Sequence, residues 1–421
     1  MTHSGKLSLR IVWDGNIVLG VDLKSTRPQA YRLLEGRSPD NAVQMAPLLF
    51  SVCGKAQQAA AMAAVSAAQG GELPGERALE RSVACEAMQE SLWRLLLDWP
   101  GLLGLPQEQR QFVHWHGALN AIAAGQGNAE IFLAELLQVL LGVTVAEWKQ
   151  LDSYAKLSAW RNAGQGLFAP VFAALECEEE RLEFVGEPTY CALQPNWRAT
   201  DIWQTYAGHF DHEFAAMPLY GGKPMETGAL AHSQYTPLLQ DILRKRPSRL
   251  SARVIARLID LLDSAEALAH ENIMPCAGEI VRLDCPQQAH CRVANCLCEN
   301  DHTAQFAPCI ASRWEQSNPD NFPRARHDGR IQHICASDAT GLSVVRTARG
   351  MLLHHVRIEA GRVAQYLTVA PTEWNFHPQG ALASDLGGLK ESDAVRLTNT
   401  VKHYVLSLDP CVEYEIEIAH A

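Results

Sequence analysis

The sequence predicts an α+β fold with a mostly helical core, on three observations. Leu7–Trp13 and Ile17–Leu23 alternate apolar and polar residues, long stretches from about 41 to 270 repeat apolar residues every three or four positions, and alternation returns after residue 341. The first pair reads as a β-hairpin, because Asp14-Gly15-Asn16 is a turn triplet of residues that tolerate positive φ. After Pro39-Asp40 the period is helical, near 41–69, 76–98, 107–141, 146–175 and 234–270, with Gly70-Gly71 and Pro100-Gly101 as breaks. From about Pro275 to Ala336 no period is sustained. Strand-like runs follow at Gly341–Val345, Met351–Ile358 and Val363–Val369, with a turn at Glu359-Ala360-Gly361. A helix near Ala394–Leu406 runs into Asp409-Pro410-Cys411, and Val412–Ile418 alternates as a half-exposed strand expected to extend a sheet. With no Pro/Ser-rich linker and no internal repeat, one unit is expected: a β-hairpin region 1–39, a helical core 40–270, an irregular cysteine-rich segment 271–340, and a strand and C-terminal helix region 341–421.

The balance of 36 Lys+Arg against 47 Asp+Glu gives a net charge of −11, which argues against a nucleic-acid partner because polyphosphate binding needs a basic face. No apolar run reaches the ~18–20 residues that span a bilayer, so membrane insertion is not expected. Met1–Lys6 leads straight into Leu7, Leu9, Ile11 and Trp13 without the apolar region of a signal peptide. A cytoplasmic location follows as the expectation, with the 12 cysteines reduced and available as ligands, redox groups or core thiols.

Two thiols stand out. Ser51-Val52-Cys53-Gly54-Lys55-Ala56 puts a cysteine at or near a helix, and Asp409-Pro410-Cys411 puts another on a turn that proline stiffens. They lie almost a full chain length apart, and closing such a loop costs about 5 kcal/mol of chain entropy, so only the global fold could bring them together. Taken alone, Cys53 reads as a buried structural thiol, Arg349 as a loop anchor paired with a carboxylate, and Glu226, Trp374 and Asn375 as packing or buried hydrogen bonding.

Several segments, in order, resemble nickel-iron hydrogenase large subunits. The two cysteine segments are similar to the family's R-x-C-G-x-C and D-P-C-x-x-C-x-x-H motifs. Leu34-Glu35-Gly36-Arg37-Ser38-Pro39 resembles L-x-G-R-x-P, and Tyr220-Gly221-Gly222-Lys223-Pro224-Met225-Glu226-Thr227-Gly228-Ala229-Leu230-Ala231 resembles Y-x-G-K-P-x-E-x-G-P-L-A. Ala348-Arg349-Gly350 with His354 is similar to A-P-R-G-x-L-x-H, and Pro371-Thr372-Glu373-Trp374-Asn375 to P-T-x-W-N. The resemblance therefore covers nearly the whole chain and implies the large-subunit fold.

The chain departs from the family where the metals are held. The second cysteine of each motif is replaced, by Ala56 and by Tyr414. In the family the first cysteines are terminal nickel ligands and the second ones bridge nickel to iron, so a permanent nickel-iron pair loses its bridges. Ala60 stands where the family has a histidine, Ser51 for the arginine before the first cysteine, Ser4 for the acidic proton-transfer group, Tyr31 for a magnesium-binding carboxylate, and Glu417 for the terminal histidine. Proton relay and structural metal are thereby both in question.

A large-subunit fold with a depleted ligand set is similar to the hydrogenase maturation accessory proteins of the HupK and HoxV type. That resemblance implies a non-catalytic cytoplasmic scaffold in which Cys53 and Cys411 bind an iron centre bearing cyanide and carbon monoxide, with Arg349 beside the diatomic ligands. Implied partners are a small hydrogenase-assembly chaperone, its iron-sulfur partner and the large-subunit precursor. Low-valent iron with strong-field ligands suits thiolates, and two thiolates without bridges could release such a fragment. Two alternatives stand beside this one: an active or sensory large subunit with a reduced ligand set, and a zinc- or iron-sulfur-bearing interaction protein.

The second alternative draws on Cys285, Cys291, Cys296, Cys298 and Cys309, with Cys276, His290 and His302 nearby. Their spacings fit neither a zinc ribbon nor a ferredoxin run; zinc, an iron-sulfur cluster or independent thiols all remain open. The pairs His354-His355 and His114-x-His116 do not by themselves build a helix-face metal site.

Overall fold

The structure is a computed structural model that describes residues 5–195, 198–206, 210–270, 329–337 and 339–421. The cysteine-rich stretch containing Cys285, Cys291, Cys296 and Cys298 lies outside the described residues, as does Ser4.

The hairpin forms as expected from β1 (Lys6–Trp13) and β2 (Val18–Ser25). Asp14 Oδ1 accepts the backbone N–H groups of Asn16 at 2.8 Å and Ile17 at 2.7 Å, which fixes the turn. Leu7, Leu9, Ile11 and Trp13 are all buried, so alternation on β1 marks its core face. The chain's last strand, Glu413–His420, joins the same sheet by pairing parallel to β1, from Lys6 opposite Glu413 to Trp13 opposite His420. Leu7 also pairs with Ser25. The segments just after β2 and just before the final strand therefore leave the sheet at one end, and that register brings residues near 27 and 411 together.

Helix α1 (Pro39–Leu49) starts at Ser38, whose Oγ accepts the Asn41 N–H at 3.4 Å, and α2 covers Gly54–Ala68. The sequence suggests one uninterrupted helix over this region. The structure breaks it at Phe50–Cys53, because Glu86 on α3 (Glu76–Trp93) accepts the N–H groups of Lys55 at 2.8 Å and Ala56 at 2.9 Å. That distant cap satisfies the free donors of a new helix N-terminus, with Cys53 immediately before it. Helix α4 (Leu250–Ala269) is buried along most of its length, and its charges are matched: Arg253 lies 2.8 and 2.9 Å from the Glu226 oxygens, and Asp260 lies 3.0 Å from Arg330. Glu226 is thus the centre of a buried ion-pair group, which also includes Arg249 at 2.8 Å.

A four-stranded antiparallel sheet runs in sequence order through β3 (Ile331–Ser337), β4 (Thr340–Thr347), β5 (Gly350–Glu359) and β6 (Arg362–Val369). Strand β3 corrects the reading of this stretch as irregular. Its apolar residues do not alternate, since the face with Ile331 is buried against α2 and the opposite face with Ile334 against a helix at Ala199–Tyr206, so a period-two pattern is absent. Ala360 and Gly361 both take positive φ, 48° and 73°, as the β5–β6 turn requires.

The alanine-rich face of α2 packs directly on this sheet. Ser343 Oγ donates to the Ala60 carbonyl at 2.8 Å, and a Cβ at Gly341 would lie 2.0 Å from the Ala64 carbonyl oxygen. Gly341→Ala should therefore push α2 off the sheet and destabilise the fold by about 1–3 kcal/mol, read as a lower denaturant midpoint. Helix α5 (Ala394–Leu408) is capped by Asp393, whose Oδ1 accepts the Val395 and Arg396 N–H groups at 2.8 and 2.9 Å. It ends at Asp409, one of three non-glycine residues with positive φ (54°) among the described residues. The final strand is labelled β7. No helix among the described residues is long and apolar enough to cross a membrane.

Candidate functional site

The two termini meet in one site. Cys53 sits at the start of α2 and Cys411 between α5 and β7, and each thiol carries an assigned hydrogen-bond partner. Gln57 Nε2 donates to Cys53 Sγ at 3.6 Å; the Thr372 hydroxyl donates to Cys411 Sγ at 3.1 Å while accepting the Cys411 N–H at 3.2 Å. Burial, then the nearby Cys411 thiol, pushes the Cys53 pKa up to about 12, against the pull of Arg349 and Gln57. An unliganded Cys53 is therefore a thiol at neutral pH and must lose its proton to bind a metal. The six cysteines among the described residues are all free.

Two guanidiniums lie close enough to both cysteines to interact with them electrostatically. Arg349 sits in the β4–β5 turn, where Asn375 and Thr227 fix the backbone: Asn375 Nδ2 donates to the Arg349 carbonyl at 3.4 Å, and the Thr227 hydroxyl accepts the Met351 N–H at 3.0 Å. Its side chain pairs with Glu90 and, at 3.2 Å, with Asp409. Arg349 is thus both a loop anchor and a neighbour of the thiols. Burial opposes its charge, but Asp409, Glu90, Cys411 and Cys53 together hold its pKa above the ordinary value. Arg27, which follows β2, pairs with Glu373 at 2.9 Å and feels Cys411 and Cys53 as well. Sequence reading missed Arg27; no motif contains it, and it reaches the site only through the pairing of β1 with β7.

Asp409 organises one side of the site. Its carboxylate is fully buried and meets Arg94 at 2.7 Å, Arg349 at 3.2 Å and Arg257 at 3.1 Å. Burial alone would raise its pKa, but Arg349, Arg257 and Arg94 hold it well below the usual carboxylate range. An open cleft of about 540 Å³ reaches this side, lined by Val52, Glu86, Glu90, Trp93, Arg94 and Arg349 among others. A shallower depression of about 720 Å³ at Arg32, Arg37 and Arg362 touches neither thiol.

The positions of the missing bridging cysteines are filled by other chemistry. Ala56 is buried and gives its N–H to Glu86, whereas Tyr414 lies on β7 opposite Leu7 and is 39% exposed. Tyr31 stacks on His212 at 5.8 Å, and Glu417 lies 3.8 Å from Arg10. Among the described residues no group of three or more His, Cys, Asp or Glu side chains could hold a metal ion. His114 faces Glu135 at 3.1 Å on the surface, while His354 and His355 are core residues. Trp374 is fully buried, and Asn375 Oδ1 accepts the Thr227 N–H at 2.8 Å.

The chain is similar over its whole length to proteins named hydrogenase expression/formation proteins. It is 28% identical to HoxV of Cupriavidus necator, covering 100% of this chain and 98% of that protein. It is 27% identical to HupV of Azotobacter chroococcum, covering 99% and 100%, and 26% identical to HupK of Azotobacter vinelandii, covering 99% and 100%. Its fold is similar to that of the Ni-Fe-Se hydrogenase from D. vulgaris Hildenborough in the reduced state, with a TM-score of 0.52 and 15% identity over 95% of each chain. The fold expected from the sequence motifs is therefore the one observed. The family model described as nickel-dependent hydrogenase matches residues 185–414, and the chain belongs to that family.

Proposed function

We propose that this chain is a non-catalytic, cytoplasmic scaffold of nickel-iron hydrogenase maturation. Cys53 and Cys411 take an iron centre bearing cyanide and carbon monoxide from a small assembly chaperone and its iron-sulfur partner, and pass it to the large-subunit precursor. The observation that carries this reading is a site with two sulfurs and no bridging pair, since Ala56 and Tyr414 occupy the second positions. Two protein donors suit a metal that brings its own ligands, and they leave it exchangeable. The names of the full-length relatives support the maturation role.

The site's chemistry fits such a cargo. Gln57 and Thr372 each offer a sulfur one donor, and the guanidiniums of Arg349 and Arg27 match anionic ligands. The same absence of bridging sulfurs disfavours an active large subunit. Iron analysis of the chain purified anaerobically from cells making hydrogenase tests the reading. Cys53→Ser and Cys411→Ser should each remove most of the bound iron, and Cys177→Ser, at an exposed thiol, should remove none. Equal iron in all of these chains would reject it.

A further inference from the structure

Cys53 ends a buried hydrogen-bond chain that two-sulfur binding does not by itself require. Gln57, one turn along α2, directs Nε2 at Cys53 Sγ (3.6 Å), and its Oε1 lies 2.8 Å from His354 Nε2. His354 Nδ1 lies 2.7 Å from the Tyr366 hydroxyl. Gln57, His354 and Tyr366 are each 0% exposed, so no bulk water substitutes for a lost partner. They come from α2, β5 and β6, whose packing sets the spacing.

These groups fix one another's polarity. A carboxamide that donates to sulfur must present its oxygen to the imidazole, so His354 carries its proton on Nε2 and accepts at Nδ1 from the Tyr366 hydroxyl. Burial keeps the ring neutral, with its pKa pushed down to about 3. Every donor then points toward Cys53. The Thr372 hydroxyl at Cys411 differs, since a hydroxyl can rotate between donating and accepting.

We propose that Tyr366, His354 and Gln57 form a one-way donor relay that positions the Cys53 sulfur as a hydrogen-bond acceptor, making Cys53 the fixed sulfur of the site and Cys411 the adaptable one. This rests on the reading of Cys53 as a ligand. An N–H···S bond orients the sulfur lone pairs and draws electron density from a metal-bound sulfur, and outer partners of this kind typically change metal affinity about 10–100-fold. The three residues are positioning residues, and no bond is made or broken among them.

The test uses the full chain without metal, labelled with ¹⁵N-histidine and ¹³Cβ-cysteine, in solution NMR. The His354 signal is assigned by its loss in His354→Gln. The wild-type ring should be neutral with its proton on Nε2 from pH 8 to pH 6, and Tyr366→Phe should release the proton to Nδ1 in part of the population. His354→Gln keeps a donor where Nε2 stood and should retain the Cys53 ¹³Cβ shift, whereas His354→Leu should move it. A wild-type proton on Nδ1, or a Cys53 shift indifferent to His354→Leu, overturns the relay. If His354→Leu does not fold, the wild-type tautomer decides. Neither signal involves iron, so an iron-free chain would defeat the scaffold function and leave this result standing, and the reverse also holds.

Discussion

Asp409→Asn should lower the unfolding free energy by about 3–5 kcal/mol, measured by urea denaturation at pH 7.5. The carboxylate is buried among Arg94, Arg349 and Arg257. Arg349 keeps Glu90 and Arg94 keeps Asp98, but the ion pair of Arg257 among the described residues is with Asp409, so one buried cation loses its counterion. Asparagine tolerates the left-handed backbone at this position (φ 54°), so the change removes charge without adding strain. Because the three guanidiniums hold the folded pKa below the unfolded value of about 3.9, the contribution is fully present above that pH and is lost only as pH falls further. A loss under 1 kcal/mol at pH 7.5 would mean that water reaches the three arginines. The substitution should also loosen Cys411, two residues on.

Acidification acts on the fold earlier, through histidines. Burial pushes the pKa of His354 down to about 3 and those of His355 and His403 to about 4, with Arg357 adding to the shift at His355. The unfolded chain binds these protons at about pH 6.5, so below that pH unfolding takes up protons and stability falls as pH drops. At pH 5 each histidine should cost about 2 kcal/mol relative to pH 7.5, enough together to consume much of a typical folding free energy. His355 stacks on Phe210 at 4.8 Å and on Trp203 at 6.2 Å, and a phenyl ring suits that stack. His355→Phe should therefore flatten the pH dependence by about 2 kcal/mol. Equal stability at pH 7.5 and pH 5 would contradict the burial of all three rings.

What could be read in the sequence was whatever depends on local pattern. The hairpin, the helix ending near Asp409 and the three later strands follow from alternation, helical period and turn residues. The terminal strand was legible as a strand, but its pairing with β1 was not, because register between chain ends is set by the whole fold. The break before α2 was hidden, since Ala-rich sequence favours helix on both sides and the cap comes from Glu86 on α3. Strand β3 was hidden because both of its faces are covered.

The site follows the same division. Cys53, Cys411 and Arg349 could be named from short segments and a family resemblance, and the structure places all three together. Arg27, Asp409 as a hub for three arginines, and the Gln57–His354–Tyr366 chain are assembled from residues far apart in sequence, so no local spacing announces them. The sequence implies buried hydrogen bonding for Glu226, and in the structure it is a buried carboxylate shared by Arg253 and Arg249.

In the proposed function, two sulfurs from opposite ends of the chain hold one exchangeable iron carrying diatomic ligands. An infrared spectrum of the anaerobically purified chain reads those ligands directly. It should contain cyanide and carbon monoxide stretches that vanish in Cys53→Ser and in Cys411→Ser and persist in Cys177→Ser. A wild-type spectrum without such bands, from cells that assemble active hydrogenase, or bands that survive both serine substitutions, would contradict it.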